Sequence, residues 1–272
     1  MTISLDMKTL RLTQSGGVLT VHLNRPEVRN AMSLQMVGEL LQVLEAAESD
    51  ASVRVVVLRG EGGHFCSGGD IGDMAQARMR MAAGEGDAIA EVNARFGQLC
   101  LAYSRSRLPV VTVVEGSVMG GGFGLVCVSD VTLALANVSF RLPETSLGIV
   151  PAQIAPFLVE RIGYAEAKRL AVTGGKVDAQ EALTIRLVHE VHADAAGLED
   201  GLRQVLARIQ ACAPGAIATT KALLARACRQ EPADLIDEAA RLFSQAVQSP
   251  EGQEGTAAFM QKRQPSWVPQ ES

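Results

Sequence analysis

The stretch Val118-Met119-Gly120-Gly121-Gly122-Phe123-Gly124 lies between an apolar run at residues 110–114 and another at residues 125–128. The first run predicts a buried strand, and the second can open a helix. Three consecutive glycines between a strand and a helix leave peptide N–H groups bare, next to the positive end of the helix dipole. Such a place suits chemistry that develops negative charge on an oxygen. Taken alone, however, the stretch is more typical of a tight turn or of close backbone packing.

A second turn of the same kind, His64-Phe65-Cys66-Ser67-Gly68-Gly69-Asp70-Ile71, follows the apolar run at residues 53–58. Asp70 is suited to cap a helix that begins after it. Two such turns can aim bare N–H groups at one oxygen. The chain contains neither GxxxxGK[ST] nor a complete GxGxxG, so the sequence does not support a phosphate loop or a dinucleotide site of that kind.

The length and charge of the chain narrow the classes of partner. Its 272 residues can bury a sizeable core in one large domain or two smaller units. A net charge of -5 gives no general attraction to nucleic acid or to anionic membranes. The apolar region at 108–140 is interrupted by Glu115, the glycines and Asp130, which indicates a buried core and not a membrane span. We therefore expect neither nucleic acid nor a membrane as a partner.

The five cysteines and four histidines argue against a metal centre. The cysteines lack CxxC spacing, their number is odd and no signal peptide is recognisable, which favours reduced thiols and a cytoplasmic location. We expect Cys66 to serve packing. The histidines show no HExxH pattern, so no metal site is expected. His64 is interpreted either as a pocket residue or as a hydrogen-bonded turn residue.

Strand and helix patterns alternate up to about residue 165, which predicts an α/β core with parallel strand pairing. A hairpin is expected at residues 10–23, followed by a helix that Ser33 caps, and residues 78–91 suggest a mobile segment near the site. After Ala165 the pattern is helical almost throughout. We therefore divide the chain into a core at residues 1–200 and a helical tail at residues 201–272, which we expect to pack against a neighbouring subunit as well.

Several motifs occur in an order that resembles the enoyl-CoA hydratase/isomerase, or crotonase, family over nearly the whole chain. They are Leu23-Asn24-Arg25-Pro26 with Arg29-Asn30-Ala31, Phe65 to Ile71, Gly120 to Gly124, Leu142-Pro143-Glu144 to Leu147-Gly148 with Pro151, and Phe259 with Lys262-Arg263. The resemblance implies an α/β fold, a crotonase-like spiral of ββα units with a C-terminal α-helical trimerisation region. It also implies acyl-CoA thioesters as substrates, homotrimers or dimers of trimers, and no metal, nicotinamide or other cofactor, coenzyme A being part of the substrate.

By the same resemblance, the backbone N–H groups of Gly69 and Gly121 would form the oxyanion hole, and Glu144 would be the catalytic acid. The family's hydratases generally use a second glutamate, and here that position is Gly124. We expect Gly124 to leave room for a branched acyl chain and to avoid repulsion of a substrate carboxylate. Arg141 is a candidate cation for such a carboxylate, or an exposed strand residue.

The resemblance also implies a set of contacts to the substrate and its coenzyme A. The matching residues are Arg29, Ala31, His64, Ser67, Gly69, Asp70, Ile71, Gly121 and Lys262, the last of which can act on a neighbouring subunit. As an isolated signal, Lys262-Arg263 is more typical of a solvated helix end.

Within the family, residues 120–125, 142–149, 151–157 and 254–256 resemble the bacterial isohexenylglutaconyl-CoA hydratases of acyclic terpene degradation. The expected reaction is therefore addition of water to a branched unsaturated acyl-CoA. Two alternatives stay open within the family: an enoyl-CoA isomerase, and a hydratase for a methylglutaconyl or straight-chain enoyl-CoA. A third alternative is an inert acyl-CoA-binding protein that has lost one acid.

Overall fold

The computed structural model describes residue 3 and residues 5–269. The first half of the chain forms β1 (Leu10–Ser15), β2 (Val18–Leu23), α1 (Leu34–Ser49), β3 (Val55–Gly60), α2 (Ile71–Ala82), α3 (Ala88–Ser104), β4 (Val110–Val114), β5 (Ser117–Met119) and α4 (Gly121–Val128). The second half forms β6 (Val131–Leu135), β7 (Ser139–Arg141), α5 (Ala155–Thr173), β8 (Lys176–Asp178), α6 (Ala179–Thr184), β9 (Glu190–His192), α7 (Ala195–Gln210), α8 (Pro214–Ala227), α9 (Pro232–Gln248) and α10 (Pro250–Met260). Two short 3-10 turns lie at Pro26–Val28 and Glu144–Leu147.

The main sheet has the strand order β1-β2-β3-β4-β6-β9 and is parallel except for the β1–β2 hairpin. Its central strands are buried on both faces, as the continuous apolar runs predict. One face packs against α1 and α3, and the other face packs against Leu198, Leu202 and Val205 of α7. The sheet is therefore the middle layer of the core.

A second sheet has the order β5-β7-β8. A single β-bridge, Cys66–Val118, connects it to the segment after β3, and a further bridge, Met32–Gly69, connects that segment to the loop before α1. The chain thus repeats one path: a strand of the main sheet, a strand or bridge of the second sheet, and then a helix. The units β4-β5-α4 and β6-β7-α5 follow this path. The expected spiral of ββα units is confirmed, and the helices α7–α10 follow it.

Local signals in the sequence were reliable for the longer elements. The hairpin forms, and the side chain of Ser33 accepts a hydrogen bond from the Met36 N–H at 3.1 Å, as expected of a helix cap. The expectation of helices almost throughout after Ala165 is wrong in one respect, because β8 and β9 also lie there. Residues 78–91 contain the end of α2 and the start of α3, and the mobility of this segment stays a prediction.

Helix α7 runs through the predicted boundary near residue 200 and packs on the main sheet. Helix α8 is also tied to that sheet, because the Lys221 ammonium donates to the Leu108 carbonyl at 2.7 Å and pairs with Asp130. The division at residue 200 stays a prediction. Among the described residues, every helix is either too short or too polar to cross a membrane.

Arg161 of α5 fixes the C-terminal end of α4, the helix that begins at Gly121. Its guanidinium donates to the carbonyls of Val126, at 2.8 Å, and of Ser129. Burial lowers the pKa of Arg161, because the charged guanidinium loses solvation free energy there. The hydrogen bonds to the two carbonyls at the negative end of α4 offset this loss.

We expect Arg161→Met to lower the free energy of unfolding by about 1–3 kcal/mol, because it removes the guanidinium donor from the Ser129 carbonyl and from the Val126 carbonyl, which keeps only the Ser129 N–H. Urea unfolding followed by circular dichroism measures the loss. Arg169→Met is the matched control on the same helix, since Arg169 is half-exposed and pairs with Glu166 and Glu181. Its loss should stay below about 1 kcal/mol, and equal losses for the two variants would contradict the role of Arg161.

Candidate active site

The turn at Gly68-Gly69 is held between Met32 and β5. The Met32 N–H donates to the Gly68 carbonyl at 2.7 Å, and the Asp70 N–H donates to the Met32 carbonyl at 3.0 Å. In a parallel pairing, the two bonds that flank a residue leave its own N–H pointing to the opposite side. The Gly69 N–H therefore points away from Met32, towards the side on which β5 and the Gly120 turn lie.

The three glycines after β5 lie in three different environments. Gly120 has φ 45° and ψ -111°, which side chains rarely tolerate. Gly121 is the first residue of α4, so its N–H lies among those that lack a partner within the helix. A Cβ on Gly122 would lie 2.6 Å from Cys66 Cβ, so this glycine serves the close packing that the sequence also suggested. Among the hydrogen bonds of the described residues, neither the Gly69 nor the Gly121 N–H is used.

Glu144 lies in the 3-10 turn that follows β7, with its side chain half-buried. The position that a Cβ on Gly120 would take is 3.4 Å from Glu144 Oε1 and 3.9 Å from the Gly69 nitrogen. The carboxyl group and the Gly69 amide thus border one small space beside Gly120. The structure brings together the residues that the sequence analysis assigned to the oxyanion hole and the acid.

Burial raises the pKa of the Glu144 carboxyl, and its own backbone N–H offsets only part of this rise. Oε2 is buried and lacks a hydrogen-bond partner within the described part of the chain. A carboxyl group with a raised pKa in a cleft is suited to exchange protons near neutral pH.

The space beside Gly124 is filled by the protein itself. A Cβ at this position would lie 2.9 Å from Phe96 Cζ and 3.3 Å from Ile154 Cγ1. The expectation that Gly124 leaves room for a branched acyl chain is therefore wrong for this structure. The sequence analysis missed Phe96, whose only signal is its place on the helix before β4, while Ile154 lies in a motif that was noted without a role.

The loop at residues 25–31, expected to contact coenzyme A, is braced by a buried amide that the sequence analysis quoted but did not interpret. Asn30 Nδ2 donates to the carbonyls of Glu61 and His64, at 2.9 and 2.8 Å, and its Oδ1 accepts from the Arg25 N–H at 2.8 Å. These bonds hold Arg29 and Asn30 at φ 50° and 56°, an uncommon conformation for residues other than glycine. The exposed Arg29 side chain is thereby presented to solvent.

Arg25 connects this loop to the Gly69 turn. Its guanidinium donates to the Ala31 carbonyl and to the Asp70 carboxylate, both at 2.7 Å. Burial alone would raise the pKa of Asp70, but the Arg25 ion pair and the Gly72 N–H outweigh it and lower the pKa. Asp70 also caps α2, as expected.

The remaining residues expected to contact the substrate have different environments. Ser67 is fixed to the same loop, because its hydroxyl donates to the Val28 carbonyl at 3.0 Å. Ile71 is 85% exposed at the start of α2, so a ligand can reach its side chain. His64 Nδ1 accepts from the Ser117 N–H at 3.1 Å, which is the turn role that the sequence analysis left open.

Lys262 and Arg141 are exposed. Lys262 follows α10, and the contacts of the described residues do not connect it to Glu144 or to the two glycine turns. Arg141 belongs to β7, and its carbonyl accepts from the Gly120 N–H at 3.4 Å. The roles expected for these two side chains stay predictions.

Known proteins share this architecture. The model of the enoyl-CoA hydratase/isomerase family matches residues 13–270. The chain belongs to this family. It is 30% identical over 262 residues to the 2,3-dehydroadipyl-CoA hydratase of Escherichia coli (strain K12), across 96% of this chain and 99% of that protein.

Two solved structures are more similar. An enoyl-CoA hydratase/isomerase from Marinobacter aquaeolei is 50% identical with a TM-score of 0.92, across 96% of this chain and 99% of that one. AtuE of Pseudomonas aeruginosa is 53% identical with a TM-score of 0.92, across 96% of this chain and 100% of that one. The protein is therefore an enzyme of the enoyl-CoA hydratase/isomerase type that acts on acyl-CoA, and the alternative of an inert binding protein is not retained.

The raised pKa of Glu144 predicts a cost in stability that depends on pH. Between the ordinary pKa of a glutamate and the raised value, the folded state binds more protons than the unfolded state, so stability falls as pH rises through this window. We expect Glu144→Gln to raise the melting temperature at pH 8. The gain should vanish below about pH 4, where the native carboxyl is protonated in both states.

Differential scanning fluorimetry across this pH range measures the effect. Glu45→Gln, at an exposed position of α1, is the matched control and should change the melting temperature little at either pH. A Glu144→Gln variant that is less stable than the native protein at pH 8 would contradict this account.

Proposed function

We propose that the protein adds water across the double bond of a branched, unsaturated acyl-CoA. The observation that carries this proposal is the shared space beside Gly120, which the Glu144 carboxyl and the Gly69 amide both border. Two unused N–H groups, of Gly69 and Gly121, bind the thioester oxygen in this proposal. They stabilise the negative charge that it gains when water attacks, and loss of one such donor typically costs about 10²–10³ in kcat, or roughly 3–4 kcal/mol.

Glu144 performs both proton transfers in this mechanism. Its carboxylate takes a proton from water as the water oxygen forms a bond to Cβ, and the electron pair of the double bond moves into an enolate. The protonated carboxyl then returns a proton to Cα, so that the product is the 3-hydroxyacyl-CoA. A raised pKa suits a group that must both accept and donate, and such assistance contributes about 10²–10⁴ in rate.

Coenzyme A would lie along the loop at residues 25–31 and the Gly69 turn in this proposal. Arg29 and Ala31 would contact the adenine and phosphates, and Ser67, Asp70 and Ile71 would form the wall for adenine and pantetheine. His64 would contribute through the turn that it holds. Lys262 would reach a coenzyme A phosphate. If the tail packs against a neighbouring subunit, this coenzyme A would be the one bound there.

The acyl group of the proposed substrate is the 3-isohexenylglutaconyl chain of acyclic terpene (citronellol and geraniol) catabolism. Residues 120–125, 142–149 and 151–157 support this choice, since they resemble the hydratases of that substrate. The name of the Escherichia coli relative describes hydration of another dicarboxylic acyl-CoA, which is consistent with it. The proposed setting is the cytoplasm, since the five cysteines are free.

The proposed assembly is a homotrimer or a dimer of trimers that forms through residues 201–272. Helix α9 supports it, because Ile236 and Phe243 are 65% and 73% exposed, and Phe259 of α10 is 86% exposed. Exposed apolar side chains of this size on neighbouring helices are typical of a surface that another protein covers.

We expect Glu144→Gln to lose most hydration activity, by at least about 10²-fold, while it retains affinity for acyl-CoA, because only the proton transfers are removed. Steady-state kinetics with the native and variant proteins measure the first quantity, and calorimetric titration with a saturated acyl-CoA measures the second. Near-normal turnover by the variant would refute the role of Glu144.

An isomerase is the second candidate, and the enclosure of Gly124 by Phe96 and Ile154 favours it, because this position supplies no second acid. One carboxyl can move a proton along an acyl chain without water. Turnover in water labelled with oxygen-18 distinguishes the two reactions. A hydratase incorporates the labelled oxygen into its product, whereas the product of an isomerase carries no label.

The substrate assignment predicts a preference among acyl groups. We expect kcat/KM for 3-isohexenylglutaconyl-CoA to exceed that for methylglutaconyl-CoA and for crotonyl-CoA by about tenfold or more, because apolar chain contacts contribute about 1–3 kcal/mol per small group. A coupled spectrophotometric assay with the three thioesters gives the ratios. A preference for crotonyl-CoA would overturn the assignment while leaving the hydratase mechanism in place.

A further inference from the structure

The ring of Phe96 covers two glycines of α4 at once. Its Cε2 atom lies 3.4 Å from the position that a Cβ on Gly121 would take, and its Cζ atom lies 2.9 Å from the corresponding position on Gly124. Residues three apart lie on the same face of a helix. The ring therefore extends along α4 from the amide proposed to bind the thioester oxygen to the position where related hydratases carry an acid.

Two contacts of Gln153 connect α3 to the residues before α5, next to this ring. Gln153 Nε2 donates to Asn93 Oδ1 at 3.0 Å, one turn before Phe96 on α3. The Gln153 amide also lies directly over Gly97, where a Cβ would collide with it. Ile154, which follows Gln153, is buried, and its Cγ1 lies 3.3 Å from the Cβ position on Gly124. Phe96 and Ile154 thus meet at the Gly124 position, and the Gln153 contacts lie beside them.

The ring is only partly buried, and it lies over the end of α4 where the helix leaves the core, since Gly121 is intermediate in exposure and the residues from Gly122 onwards are buried. Phe96 is intermediate in exposure, whereas Gly124 and Ile154 are buried. The ring therefore keeps some accessible surface, and so does Gly121 at the end of α4 that the ring covers. Met32 Cβ lies 3.4 Å from the same Cβ position on Gly121, so two apolar side chains border the residue whose amide is proposed to bind the thioester oxygen.

We propose that Phe96 is a specificity-determining residue, whose ring forms the apolar wall for the acyl chain beside the thioester, and that residue 124 is glycine to admit this ring. The proposal rests on the proposed function, since it assumes that the acyl group lies beside Gly121. It assigns the space at Gly124 to the protein and not to the substrate. The wall favours acyl groups that carry an apolar substituent on the carbons next to the thioester.

A double-mutant cycle between residues 96 and 124 tests whether the Phe96 ring or the acyl group of the substrate occupies the space beside Gly124. Gly124→Ala adds one methyl group against the ring, so we expect it to lower kcat/KM by about tenfold or more, a coupling in the range seen for residues in contact. Phe96→Leu shortens the side chain. In the Phe96→Leu background, the same Gly124→Ala change should lower kcat/KM by less than about threefold.

Equal losses in the two backgrounds would overturn the proposal, because they would mean that the methyl group at residue 124 meets the substrate and not the ring. The cycle is run with whichever thioester the native protein turns over best. It therefore stays informative if 3-isohexenylglutaconyl-CoA is not that substrate, an outcome that would count against the proposed function alone.

Acyl selectivity supplies the second measurement. Phe96→Leu should change the ratio of kcat/KM for a Cβ-branched over a straight-chain enoyl-CoA by roughly tenfold or more, the size expected when an apolar wall is reshaped. Leu101→Ala, at an exposed position of the same helix, is the matched control and should leave this ratio unchanged. An unchanged ratio in Phe96→Leu, with folding intact by circular dichroism, would refute the role of Phe96.

Discussion

The candidate site depends on two single β-bridges, Met32–Gly69 and Cys66–Val118. They hold the segment at residues 66–70 between an early loop and β5, and so determine the direction of the Gly69 N–H. This direction could not be set by the local turn alone, because glycines at residues 68 and 69 allow many conformations. The bridges also place the segment next to Gly120, and the Glu144 carboxyl then approaches from β7. Pairing between distant parts of the backbone thus builds a site from the amides of glycines, which have no side chains to mark them in the sequence.

Much of this arrangement could be predicted from the sequence, for identifiable reasons. The glycine runs, the caps at Ser33 and Asp70, and the apolar strands are local signals, and each appears in the structure where it was expected. The strands β8 and β9 were missed because three residues are too few to show a period. The contact of Phe96 with Gly124 joins α3 to α4 across 28 positions, and no local pattern reports such a contact. The environment of Gly124 was therefore misjudged, although the lack of an acid there was recognised.

The surroundings of Glu144 and of Phe96 have a common physical origin. Each places apolar structure close to the candidate site: burial raises the pKa of the Glu144 carboxyl, and the Phe96 ring fills the space beside Gly124. A site with one acid in apolar surroundings can tolerate a protonated carboxyl more easily than a pair of carboxylates. In the proposed enzyme, the Phe96 ring occupies the space where a second acid would otherwise lie.

The burial of Cys66 affects how the protein would tolerate the unsaturated thioester that we propose as its substrate. An unsaturated thioester is an electrophile that thiolates attack, and this cysteine lies only three residues before Gly69. Burial raises the pKa of the Cys66 thiol to about 11, and the side chain is fully enclosed against Gly122. The thiol is therefore protonated at neutral pH and enclosed by protein atoms. The close packing at Gly122 thus keeps a nucleophile next to the proposed site unreactive while it shapes the turn.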